Sequence, residues 1–281
     1  MSRLETVFSQ LRAEGRSALI PFFTAGDPTP EVTVPMLHAL AGAGADVIEV
    51  GVPFSDPMAD GPVIQKSNER ALATGMSLHK TIAAVEQFRR SNRTTPVVLM
   101  GYLNPIEAFG YFNFSRAVTQ AGVDGVITVD LSLEESDSLS SLLREVGVDP
   151  VFLIAPTSND QRVAQIARRA SGFIYYVSMR GITGAYALDP KTIEARIAQI
   201  SEHTALPIGV GFGIQDVDTA RSVAKVADAV IVGSAIVKEI AASTSVEEAV
   251  GNAARVVRAM ADAVRRARKG DGLHRRRGVM P

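Results

Sequence analysis

The sequence predicts an α/β fold, and within that class a (β/α)8 TIM barrel. Three observations point to it. Eight short apolar runs alternate with amphipathic segments along 281 residues. The runs are continuous rather than alternating, as expected for strands buried on both faces. Glycine or proline stands at most junctions, where one element must end and the next begin. Strand-helix alternation makes the sheet parallel. Eight such units in this length favour a closed barrel over an open doubly wound sheet.

The opening stretch MSRLETVFSQLRAEG is polar and helical in period, with Leu4, Val7, Phe8 and Leu11 on one face. It lacks the apolar core of a signal peptide. The apolar runs follow as ALIPFF (18–23), DVIEV (46–50), PVVLM (96–100), GVITV (125–129), PVFLI (150–154), FIYYV (173–177), PIGV (207–210) and AVIVG (229–233). Between them lie helical patterns such as EVTVPMLHALAGAG, LHKTIAAVEQFRR, RVAQIARRA and VDTARSVAKVA. No linker, repeat or low-complexity segment divides the chain, so residues 1–265 are expected to form one barrel domain.

Composition narrows the function classes. A hydrophobic content of 46% supports a large buried core. The absence of cysteine excludes disulfides and thiolate metal sites and fits a cytoplasmic setting. No apolar run approaches the roughly 20 residues that span a bilayer. The net charge of −1 conceals a basic tail over 266–281, with Arg266, Arg268, Lys269, Arg275, Arg276 and Arg277 against Asp271 alone. A basic tail could bind nucleic acid. No aromatic within it could stack on bases, and a solvated, frayed terminus is the plainer reading.

In a barrel, chemistry sits where strands end and their loops begin. The segment EVGVPFSDPMADGP places Glu49, Asp56 and Asp60 there. Glu49 lies inside a buried strand, where a carboxylate is costly unless it is paired or used. A structural ion pair and a catalytic acid are both open at this point. Burial would raise its pKa, which suits a group that both gives and takes a proton. Asp56 precedes Pro57, a turn-forming pair. Asp60 precedes Gly61-Pro62 and a helical pattern, so it could cap that helix or serve catalysis. A three-carboxylate Mg²⁺ site is a further reading of the same acids.

The last two units carry glycine loops, Gly211-Phe212-Gly213 and Gly233-Ser234. Loops at these positions often bind phosphate through backbone N–H groups, and glycine allows close approach. A third glycine loop, RGITGAY, follows the sixth strand and could close over a ligand. No histidine and no lysine lies in an expected strand, which disfavours a histidine metal site, a triad or a strand-borne Schiff base. The residues thus describe a barrel that binds a phosphorylated small molecule and works by carboxylate acid/base chemistry.

Together PFFTAGDP, IEVGVPFSDPMADGPVIQ, GITGA, GVGFGI and VGSAIV resemble the tryptophan synthase α subunit family, in order, over nearly the whole chain to about residue 265. The resemblance implies a (β/α)8 barrel with an extra N-terminal helix. It implies retro-aldol cleavage of indole-3-glycerol phosphate to indole and glyceraldehyde 3-phosphate. Glu49 would then move the proton at the side-chain hydroxyl and at C3, and Asp60 would bind the indole N–H. Asp56 and Pro57 would face a β subunit. Gly184, Gly213, Gly233 and Ser234 would hold phosphate. Phe22, Met100, Val129, Leu153, Tyr175 and Phe212 would line the indole pocket, and Thr183 would sit on a closing loop. The resemblance implies an α2β2 complex with a pyridoxal-phosphate β subunit, no cofactor in this chain, and activation through loops 53–62 and 179–190. A stand-alone lyase releasing free indole and a non-catalytic regulatory subunit are the competing functions. Intact Glu49 and Asp60 argue against the second, since an inactive scaffold has no reason to keep a costly buried carboxylate.

Overall fold

The computed structural model describes residues 2–178, 190–211 and 213–267. Eight parallel strands close into a barrel in strict sequence order, with the last strand paired to the first. They are β1 (Ala18–Thr24), β2 (Ile48–Gly51), β3 (Val97–Gly101), β4 (Gly125–Thr128), β5 (Asp149–Ile154), β6 (Ile174–Val177), β7 (Ile208–Gly211) and β8 (Ala229–Val232). Each falls within two residues of its sequence-derived span. The helices are α1 (Arg3–Ala13), α2 (Thr33–Gly42), α3 (Pro62–Ala73), α4 (Leu78–Arg89), α5 (Leu103–Phe109), α6 (Tyr111–Gln120), α7 (Asp137–Glu145), α8 (Asp160–Arg169), α9 (Pro190–Ser201), α10 (Val217–Ala224), α11 (Ser234–Ala241) and α12 (Val246–Arg266). The segment read as one helix from residue 31 opens instead with a 3-10 turn, Pro30–Val32.

Side chains alternate across each strand. Leu19, Phe23, Ile48, Val50, Leu99, Ile174, Val210 and Val230 pack outward into the helix layer. Ala18, Ile20, Val98, Ile127, Val151, Phe173, Tyr175, Ala229 and Ile231 fill the barrel interior. Both faces are thus apolar, which is why the runs in sequence show no alternation. Glu49 stands between Ile48 and Val50 and therefore belongs to the interior set.

Helix α1 closes the N-terminal end of the barrel. Leu4, Phe8 and Leu11 are buried in the interior cluster, and the Phe8 and Phe173 rings lie 5.8 Å apart. Burial of each such side chain contributes on the order of 1.5–3 kcal/mol. Ser2 caps the helix by accepting the Glu5 N–H. Arg3 and Arg89 both bond the buried Asp124 carboxylate, at 2.7 and 2.6 Å, and Asp124 also accepts the Val97 N–H. With its charge shared and its oxygens satisfied, Asp124 is a fastener. The opposite, C-terminal end of the barrel is left for chemistry.

Candidate active site

Glu49 pairs in register with Phe22 on β1 and Val98 on β3. It is 1% exposed, and neither carboxylate oxygen has a hydrogen-bond partner among the described residues. The ion-pair reading of Glu49 finds no partner there either. Burial lifts its pKa to about 8, and the nearby charge of Asp60 adds to the lift. Glu49 therefore carries a proton at neutral pH, because the ionised form would lose water without gaining a donor.

Asp60 reaches the same mouth from the loop after β2. Its pKa rises to about 6 through burial, opposed by hydrogen bonds from Tyr102 and Asn68. It does not cap α3. The cap residue is Gly61, with no side-chain cap bond, and Pro62 occupies the first turn, where its missing N–H costs nothing. At neutral pH one carboxyl thus holds a proton and its neighbour holds a charge, the separation of roles that acid/base sites require. Asp56 does not join them. It is exposed at the loop tip, accepts the Ser55 hydroxyl at 2.6 Å, and lies beside Met58, which is 84% exposed. Among the described residues no three carboxylates or imidazoles come close enough to hold a metal.

The apolar residues assigned to a ring pocket converge. Met100, Val129 and Leu153 pack against the interior cluster that contains Tyr175. Phe22 and Met100 also meet Val63, Ile64 and Val237 from α3 and α11. Two strand-end glycines make room for the rings. A Cβ on Gly51 would stand 2.6 Å from the Phe22 ring, and one on Gly211 would run into the Tyr175 hydroxyl. The Tyr175 phenol is held neutral by its own burial and by Glu49 and Asp60. Phe212 lies outside the described residues.

Gly213 has φ of 76°, a conformation that disfavours any other residue. Gly233 is the N-cap of α11 and lies against Phe22, and Ser234 opens that helix. The first turn of a helix leaves backbone N–H groups without intrahelical partners, a ready anion site. Gly184, Thr183 and most of the 179–190 loop lie outside the described residues, as does the tail from residue 268.

Two polar side chains at this site were not picked out from the sequence. Tyr102 follows β3 by one residue and is 3% exposed. Asn68 lies on α3 and is 4% exposed, on the buried face with Ile64, Ser67 and Ala71. The strand-end position of Tyr102 was a usable signal. For Asn68 the signal was a polar residue on the apolar stripe of an amphipathic helix.

The sequence model of the family described as "Tryptophan synthase alpha chain" matches residues 8–265. The tryptophan synthase alpha chain of Ralstonia nicotianae is 58% identical over 238 residues, which are 85% of this chain and 90% of that one. That of Paraburkholderia phytofirmans is 54% identical over 270 residues, 95% of this chain and 100% of the relative. Among solved structures, tryptophan synthase subunit alpha from Legionella pneumophila superposes with a TM-score of 0.86 at 40% identity, covering 94% of this chain and 98% of that one. A chain of tryptophan synthase from M. tuberculosis in an aminoacrylate-bound form gives 0.84 at 33% identity, covering 94% and 100%.

Proposed function

The chain belongs to the tryptophan synthase alpha chain family, the lyase that cleaves indole-3-glycerol phosphate, and we propose that Glu49 and Asp60 carry the cleavage. The observation behind this assignment is the unpartnered, buried Glu49 carboxyl beside Asp60. The protonated Glu49 gives its proton to C3 of the indole ring. Positive charge then develops at the ring nitrogen, where the ionised Asp60 accepts the N–H and steadies it. The Glu49 carboxylate next takes the proton of the side-chain hydroxyl. The hydroxyl oxygen becomes the aldehyde of glyceraldehyde 3-phosphate, the C–C bond breaks, and its electron pair restores the indole. Glu49 ends protonated, ready for another turnover. The ring itself is the electron sink, so the step calls for neither metal nor Schiff base.

Phe22, Met100, Val129, Leu153, Tyr175 and Phe212 form the ring pocket in this reading. Gly184, Gly213, Gly233 and Ser234 hold the phosphate, and Thr183 belongs to the closing loop. Asp56 and Pro57 meet a β subunit in an α2β2 complex, and pyridoxal phosphate belongs to that partner. Exposure of Asp56 and Met58 at the tip of the loop that ends in Asp60 supports this, since a partner seated there would bear on the catalytic carboxylate. Residues 1–265 act as one catalytic unit, followed by the basic segment 266–281. Among the described residues no helix is long and apolar enough to cross a membrane, which agrees with a cytoplasmic setting.

The pH dependence of kcat/KM tests the acid/base reading, because it reports groups of the free enzyme. The active form has Asp60 ionised and Glu49 protonated. The rate is expected to fall below about pH 6 as Asp60 gains its proton, and above about pH 8 as Glu49 loses its own. A profile flat from pH 5 to 9 would remove the assignment.

A further inference from the structure

The loop between β2 and α3 carries the charge-holding carboxylate yet has no regular structure of its own. Two side chains from outside it hold both its ends. The Asn68 Oδ1 accepts the Phe54 N–H at 3.3 Å, where the loop begins. The Asn68 Nδ2 donates to the Asp60 Oδ2 at 3.4 Å, where the loop ends, and to the Ile64 carbonyl at 3.1 Å. From the end of β3, the Tyr102 hydroxyl accepts the Ala59 N–H at 3.1 Å and lies close enough to Asp60 to lower its pKa. The Tyr102 ring stacks on Phe54, centroids 5.0 Å apart. Gln65 adds a bond from its amide to the Asp60 carbonyl at 2.9 Å. Each of the two buried side chains therefore spans loop entry and loop exit, and each favours the ionised carboxylate.

We propose that Tyr102 and Asn68 are positioning residues for the cleavage, acting together as a clamp that aims the Asp60 carboxylate into the barrel mouth and keeps it ionised. The proposal rests on the catalytic reading of Asp60. A loop tip meant for a partner is exposed and free to move. A carboxylate that must meet a ring nitrogen cannot share that freedom, since misplacement by about 1 Å costs on the order of 10²-fold. The clamp separates the two ends of one loop mechanically. The donors also favour the charged form of Asp60, against burial. Among the described residues Tyr175 on β6 also faces the two carboxyls, and Asp130 after β4 acts on Tyr102.

Tyr102→Phe keeps the ring on Phe54 and removes the hydroxyl that holds Ala59 and lowers the Asp60 pKa. Asn68→Asp keeps the acceptor for Phe54 and replaces the donor with a second negative charge. Losing a donor raises the pKa of Asp60, so the acid limb of kcat/KM must move to higher pH. A shift of about one unit is the expected scale for one bond to a carboxylate. At neutral pH kcat should fall about tenfold or more in each variant, mainly from the lost aim of Asp60, since a one-unit shift alone removes only about half of its charge. Turnover of indole-3-glycerol phosphate from pH 5 to 9 would be measured for both, alongside Asp60→Asn. An upward limb shift in either variant supports the clamp. A uniform loss at every pH, or an unmoved profile, overturns it and leaves the two residues as packing. If Asp60→Asn is inactive while neither limb moves, only the clamp falls. Should Asp60→Asn turn over normally, the catalytic reading falls and the clamp with it.

Discussion

Glu49→Gln is expected to lower cleavage of indole-3-glycerol phosphate by at least about 10²-fold, the scale on which a positioned acid or base contributes. The amide matches the neutral, protonated side chain in shape and polarity, so the pocket stays intact. It can neither give a proton to C3 nor take one from the hydroxyl. The same substitution should make the protein more stable. Burial holds the folded pKa near 8, well above the ordinary 4.5, so the folded chain keeps a proton that the unfolded chain has released. Stability is therefore lost as pH rises from about 4.5 to 8, and the loss is complete above that. Removing the carboxyl should return up to a few kcal/mol at pH 8 and nothing at pH 4. Thermal unfolding of the variant at the two pH values would show it. Near-normal turnover in this variant would end the assignment of Glu49.

Asp60→Asn is expected to be as severe, again at least about 10²-fold, for a different reason. The amide can still accept from Tyr102 and can still offer a carbonyl to the indole N–H. It carries no charge to meet the cation formed when C3 is protonated, and opposing charge of that kind is usually the largest single contribution to lowering the barrier. Substrate binding should be less affected than turnover, since the charge develops only on the way to cleavage. A KM raised with kcat unchanged would show that Asp60 binds and does not catalyse.

Much of this site could be read from residue order, and the unread part has a physical cause. The barrel was legible because its strands are apolar on both faces and each is punctuated by glycine or proline. Glu49 stood out because it interrupts such a strand. Phe22, Met100, Leu153 and Tyr175 were reached through resemblance, and their place in the interior agrees with strand alternation. The role of Asp60 was not legible from spacing. A carboxylate before Gly-Pro is as good a helix cap as a catalyst, and only the folded loop shows that Gly61 caps α3 while Asp60 turns toward Tyr102. Asn68 was hidden for the complementary reason. It bonds both ends of a loop that precedes it in the chain, and no local pattern records a contact between side chain and backbone fourteen residues apart.

The central claim is that Glu49 stores a proton at neutral pH because the barrel denies it water and, among the described residues, a donor. Carbon-13 NMR of the glutamate side-chain carboxyls, with the Glu49 signal assigned by its loss in Glu49→Gln, would follow that proton directly. Titration of the substrate-free chain should show the Glu49 signal changing near pH 8, and at lower pH in Asp60→Asn, where the neighbouring charge is gone. A Glu49 signal that titrates near the ordinary 4.5 would contradict the account, since the carboxyl would then have no proton to give.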